Sequence, residues 1–137
     1  TNLIALSFYV PLFFGRKFIP IVLASFFLTD IFIGFHSTLF FTWGSVIIIG
    51  LIPKYFYNSL KIRLIGSFFG ALVFYIITNF GVWFLGMYPY NFTGLVTSYT
   101  LAIPFFGYSL ISTITYSLLI EFLYKISFNK YKKTFKY

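Results

Sequence analysis

Uncharged apolar runs recur along this chain, and they limit what it can fold into more than any other feature. A helix needs about 20 residues to cross roughly 30 Å of hydrocarbon. Five segments are read as spans: Asn2 to Phe14, which is short, Phe18 to Gly34, Thr38 to Ile52, Ile62 to Gly86, and Gly94 to Lys125. The last holds more residues than one span requires. Pro104 is expected to divide it, because proline removes a backbone donor and clashes with the preceding turn, leaving a lead-in segment and then a helix from Gly107 to Lys125. Runs such as Val46-Ile47-Ile48-Ile49 and Ala71-Leu72-Val73-Phe74 are apolar all round. A transmembrane barrel would instead alternate polar and apolar residues, so the expected fold is an all-α polytopic bundle.

Composition agrees and narrows the chemistry. Of 137 residues, 60% are hydrophobic and 9% charged, with a mean hydropathy of +0.93, against roughly a quarter charged in an ordinary soluble domain. The 22 Phe and 12 Tyr accompany abundant Ile, Lys and Asn, a set that AT-rich codons produce without selection for function. There is no Cys, one His and two acids, which excludes disulfide scaffolds and thiol chemistry and leaves no conventional metal site. No phosphate-binding glycine loop or nucleophile elbow is present. An enzyme is therefore not expected, nor a cofactor. The charges are scattered between apolar spans rather than gathered on a soluble basic face, so the net charge of +8 points to anionic lipid headgroups and not to nucleic acid.

The ten basic residues fix an orientation. Arg16 and Lys17 follow the first segment; Lys54, Lys61 and Arg63 fall between the third and fourth; Lys125, Lys130, Lys132, Lys133 and Lys136 close the chain. The turns at Phe35 to Ser37 and Met87 to Thr93 carry none. Under the positive-inside rule the basic connections are cytoplasmic, as is the tail of residues 128–137 that follows a single membrane domain over 1–127. Its alternating Lys, Phe and Tyr suit a headgroup layer, or serve only as a solvated stop signal. Residue 1 then lies outside, so one further helix with a cytoplasmic start is expected before it, making six spans in the intact chain.

Few residues could carry chemistry. Asp30 is the acid in the body of the spans, where an ionisable group costs about 2.5–3.5 kcal/mol if central. It either contacts a ligand or cation in a pocket open to the outer face, or bonds to Thr29, Ser37 or the start of the next helix. His36 follows six residues later, about 240° around a helix, so only the Gly34 turn could bring the two together. Asn79 and Trp83 share a helix face, and the amide either holds a ligand or joins helices. Tyr90 is read as part of an interfacial belt, while Trp83 and Tyr88 fit either a belt or a pocket wall. Gly66 and Gly70, with Ser67 and Ala71 beside them, offer a small-residue face for helix packing, inside the monomer or against a partner. Ser109, Ser112, Thr113 and Ser117 align on the last helix and bond across the bundle or to their own backbone. Glu121 precedes Lys125 in the favourable order for an i,i+4 pair. Asn91-Phe92-Thr93 fits a glycosylation pattern that means nothing in a bacterium.

Two groups of residues carry a resemblance. Gly15-Arg16-Lys17-Phe18-Ile19-Pro20, with Ser25, Thr29-Asp30 and Gly34, forms the first. Thr78-Asn79-Phe80-Gly81-Val82-Trp83, Tyr88-Pro89, Gly94-Leu95, Tyr99 and Ile103-Pro104-Phe105-Phe106 form the second. Together they resemble a small uncharacterised family of bacterial membrane proteins, known as a domain of unknown function. That family is similar to the S components of energy-coupling-factor transporters, six-helix membrane proteins that capture vitamins or other micronutrients. The resemblance implies a bacterial plasma-membrane subunit with a ligand pocket near the outer face, whose candidate lining residues are Asp30, Asn79, Trp83, Tyr88 and Tyr99. It also implies a coupling subunit and ATPases as partners. The alternative is a small accessory subunit of a larger membrane complex, in which Gly66 and Gly70 face a partner and the polar residues only join helices.

Overall fold

The computed structural model describes residues 2–134, with side chains through 129, and contains no strand among them. Six α-helices follow in order: α1 (Asn2–Phe14), α2 (Ile19–Ile33), α3 (Leu39–Leu51), α4 (Leu60–Phe84), α5 (Phe92–Leu101) and α6 (Ile103–Thr134). Short 3₁₀ turns, Arg16–Phe18 and Ile52–Tyr55, follow α1 and α3. The described residues are all-helical, as the patterning implies.

Helix ends are set by local chemistry. Gly34 closes α2 at φ 103° while its N–H donates to the Asp30 carbonyl, a left-handed conformation open to glycine at little cost. The Ser59 side chain caps α4 by accepting from Ile62 N–H at 3.3 Å, and that of Asn91 caps α5 by accepting from Gly94 N–H at 2.7 Å. A Cβ at Gly94 would overlap the Pro89 carbonyl, so this turn admits only glycine. Pro104 sits in the first turn of α6, where its missing N–H costs nothing. The expected lead-in segment is therefore a helix of its own, α5, and α6 begins at Ile103 and not at Gly107. α6 also runs unbroken to Thr134, through the first part of the expected tail. The side chains of Lys130, Lys132, Lys133 and Lys136 lie outside the described residues, as does Thr1 with its expected outer position.

The count of five spans needs correction. Among the described residues two helices are long and apolar enough to cross a membrane, Leu60–Phe84 and Ile103–Asn129. α1, α2 and α3 have 13, 15 and 13 residues, roughly 20 Å each at 1.5 Å per residue. Gly15, Gly34 and the Ile52–Tyr55 turn containing Pro53 end these helices where their apolar runs end, so it is the length of the runs, and not their bounds, that falls short of a span.

α1 is the central helix, packed against α2, α3, α4 and α6. Its Ile4, Phe8 and Tyr9 meet Ile49 of α3 and Ala71 of α4, while Val22 and Phe26 of α2 pack on Val46 of α3. The interior is rich in small hydroxyls. Ser7, Ser45, Ser67, Ser98 and Thr113 are buried, and each bonds a carbonyl of its own helix at 2.6–2.8 Å. For Thr113, whose acceptor is the Ser109 carbonyl, this is the own-backbone option. The perimeter is the reverse: Phe32, Ile33, Phe40, Phe105 and Tyr108 are 73–89% exposed.

Helix direction gathers the cations. The α1–α2 turn and the α3–α4 turn line one cavity, and the start of α4 and the late part of α6 line another. Arg16, Lys17, Lys54, Lys61, Arg63 and Lys125 therefore share one end of the bundle. The α2–α3 and α4–α5 turns, which contain no Lys or Arg, occupy the other.

Candidate functional site

Asp30 lies in the last turn of α2 with 5% of its surface exposed. Trp43, one turn into α3, donates its indole N–H to Asp30 Oδ2 at 2.9 Å. His36 Nε2 stands 3.5 Å from Oδ1, and its Nδ1 is 2.8 Å from the Thr38 hydroxyl. With the proton on Nε2, the imidazole faces the carboxylate and accepts from Thr38. The Gly34 turn thus brings His36 back onto Asp30. Thr29 is not a partner, since its hydroxyl bonds the Ser25 carbonyl at 2.9 Å. Trp43 is the residue that sequence reasoning missed. It lies 13 residues from Asp30, and only the pairing of α2 with α3 makes them neighbours. Both carboxylate oxygens are thereby engaged, so this cluster ties α2 to α3 at the end whose turns lack Lys and Arg.

Asn79 stands elsewhere, in a cavity of about 210 Å³ between α4 and the α5–α6 junction. Phe74, Tyr75, Phe105 and Phe106 supply its aromatic wall, and Thr78, Asn79 and Ser109 its polar groups. The Asn79 amide donates to the Tyr75 carbonyl at 2.8 Å, while Thr78 bonds the Phe74 carbonyl at 2.7 Å. Two reciprocal bonds fix the wall: Tyr75 donates to the Tyr99 carbonyl at 2.6 Å, and Tyr99 to the Ile76 carbonyl at 2.8 Å. Tyr75 also packs on Phe106 with centroids 4.7 Å apart. Tyr99 therefore holds the pocket wall without lining the pocket.

Trp83 donates to the Pro89 carbonyl at 3.0 Å and meets Tyr90 edge-on, with Tyr90 in turn bonding the Phe84 carbonyl at 3.0 Å. Tyr88 is half-buried in the same α4–α5 turn. The five candidate lining residues thus do not form one pocket. Asn79 and Tyr99 belong to one locality, Trp83 and Tyr88 to the turn beyond it, and Asp30 to a separate helix pair.

Glu121 also departs from expectation, because its partner is Arg63 and not Lys125. Arg63 Nε and Nη2 reach the two carboxylate oxygens at 2.5 and 2.8 Å, and Nη1 donates to the Tyr57 carbonyl at 3.2 Å. This planar fork prevails over the i,i+4 pair because α6 turns Glu121 inward, to 7% exposure, where a bidentate guanidinium satisfies both oxygens. The buried hydroxyl of Tyr9 lies beside Ser117 and Glu121. The small residues of α4 are occupied within the monomer. A Cβ at Gly66 would come 2.7 Å from Phe56 and collide with Phe8, and at Gly70 would stand 3.3 Å from Ile49. Their face packs on α1, α3 and the turn after it, leaving no open strip there for a partner.

A model of a family of unknown function, DUF6580, matches residues 1–134. The chain belongs to this family. No curated protein and no solved structure matches it. For this DUF6580 member, the reading of function rests on its own geometry. Among the described residues there is no group of three His, Asp or Glu side chains able to hold a metal ion.

Proposed function

We propose that this chain is an integral membrane subunit that captures a small molecule for uptake, in the manner of an energy-coupling-factor S component, and that the capture site is the Asn79 cavity. What carries the reading is that cavity itself. It has aromatic walls, the convergent polar side chains of Thr78, Asn79 and Ser109, and a position toward the end of the bundle whose turns lack Lys and Arg. A few convergent polar groups in an apolar concavity are what small-molecule sites have in common. Its volume of about 210 Å³ falls below the roughly 300–1,000 Å³ of drug-sized sites, so the ligand is small and partly flat, held by stacking on Tyr75 and Phe106 and by donating to Asn79.

Membrane embedding is supported by the distribution of side chains. Large apolar residues face outward along α2 to α6, whereas the buried hydroxyls of Ser7, Ser45, Ser67, Ser98 and Thr113 are satisfied by their own helix backbone, as hydrocarbon surroundings demand. In this reading α4 and α6 cross fully, and the shorter α1, α2 and α3 are accommodated by local thinning of the bilayer. The basic end is cytoplasmic. Energy and reorientation come from a coupled ATPase module on that side, because the chain has no nucleotide-binding loop of its own.

The accessory-subunit reading draws on a different observation: Asp30 and Glu121, the two acids, both serve as links between helices. Native mass spectrometry of the full chain, gently extracted from its own membrane, separates the two. Capture gives a retained small molecule that Asn79→Leu abolishes and Asp30→Asn leaves in place. A ligand-free chain fixed in a large assembly, unaltered by Asn79→Leu, would overturn the capture reading.

A further inference from the structure

The basic end of the bundle holds a second concavity. A cavity of about 370 Å³ opens between the α1–α2 turn and the α3–α4 turn, lined by Arg16, Lys54, Tyr57 and Asn58 at its rim. Pro11, Leu12, Gly50 and Pro53 form a buried apolar floor. No acid lines it. Nor can the chain supply one, because Asp30 is committed to Trp43 and His36 at the opposite end and Glu121 to Arg63. With only two acids in the sequence, Arg16 and Lys54 have no carboxylate to face. Both side chains are exposed, and the Lys54 ammonium lies 4.6 Å from the centroid of the Tyr55 ring.

We propose that this cavity is a phosphate site, occupied by the headgroup of an anionic phospholipid. Arg16 offers a planar fork to phosphate oxygens and Lys54 a mobile point charge, while Tyr57 and Asn58 add polar groups at the rim. The apolar floor distinguishes the source. Free phosphate has no use for a buried surface of proline, leucine and glycine, whereas the glycerol and first acyl carbons of a lipid fit it, with the phosphate at the cationic mouth. This inference rests on the membrane reading above, since a lipid reaches the site only if the basic end lies at a bilayer surface.

The test begins with flotation of the purified full chain in neutral phosphatidylcholine vesicles after an alkaline wash. Flotation supports the membrane reading without reference to the cavity, and failure to float overturns both. Native mass spectrometry then titrates phosphatidylglycerol against the wild type, R16Q/K54Q, K17Q/K61Q and the charge-retaining R16K/K54R. One retained phosphatidylglycerol is expected, weakened about 30-fold in R16Q/K54Q as the loss of two cations at a bilayer surface implies. R16K/K54R is expected to keep most of the affinity, and K17Q/K61Q, whose residues lie outside the cavity, to change it only a few-fold. Equal weakening in both glutamine pairs would reduce the effect to diffuse surface charge and overturn the site. Binding of inorganic phosphate in place of the lipid would overturn the proposed occupant.

Discussion

Glu121 and Arg63 are separated by 58 residues in sequence, yet they form the most completely satisfied polar contact of the interior. Removing one partner strands the other. Arg63→Leu is expected to destabilise the bundle by about 3–5 kcal/mol, the usual cost of an uncompensated buried charge. Arg63→Leu with Glu121→Leu should recover most of that loss, because two apolar side chains leave nothing unpaired. Thermal unfolding in detergent of both singles and the double measures this coupling, and additive losses would show that the pair is not the link described. Trp43→Phe removes the donor to Asp30 Oδ2 and should cost about 1–3 kcal/mol by the same assay. The sequence marks Asp30 and Glu121 as groups that must be paired, because ionisable residues in apolar surroundings are expensive. It does not name Trp43 or Arg63, since each contact depends on which helices become neighbours. Only His36, within reach through the Gly34 turn, is a partner of Asp30 whose approach local reasoning could foresee.

Among the elements, α4 was legible as a single long helix, because its apolar run contains no proline, whereas α6 was read too short at both ends, from Gly107 to Lys125 instead of Ile103–Thr134. α1, α2 and α3 were legible almost to the residue between Gly15, Gly34 and Pro53, and the error lay in counting helices of 13 to 15 residues as full spans. The junction at Pro104 was visible, although proline begins α6 there rather than dividing a span. Glycine on α4 controls how closely its neighbours approach. At Gly81 a Cβ would overlap the ring of Phe41, which also packs on Phe80 and Phe84 at centroid distances of 6.3 and 6.0 Å. Gly81→Val should therefore push α3 from α4 and cost about 1–3 kcal/mol as overpacking, whereas Gly44→Ala, with open space around its Cβ position, should be close to neutral. Melting temperatures of the two variants check the contrast. Equal effects would mean that α3 and α4 do not meet in this register.

The whole molecule separates charge from apolar surface more cleanly than its individual helices do. Six described cations collect at one end, the turns without Lys or Arg at the other, and exposed aromatic and aliphatic residues cover the sides. That arrangement was legible in the sequence from the spacing of Lys and Arg alone. The pocket was not, because Asp30 and Asn79 look equivalent as polar residues in apolar runs, and only helix packing assigns one to a tie between α2 and α3 and the other to a cavity wall. The proposed capture of a small molecule presupposes that the two ends lie on opposite sides of a bilayer. Since the sequence contains no cysteine, single reporters are free of background: Ser37→Cys at the end whose turns lack Lys and Arg, and Lys61→Cys at the basic end. Labelling right-side-out vesicles with a membrane-impermeant maleimide should modify Ser37→Cys at once and Lys61→Cys only after the membrane is opened. Equal labelling of both in sealed vesicles, or recovery of the chain in the soluble fraction, would contradict it.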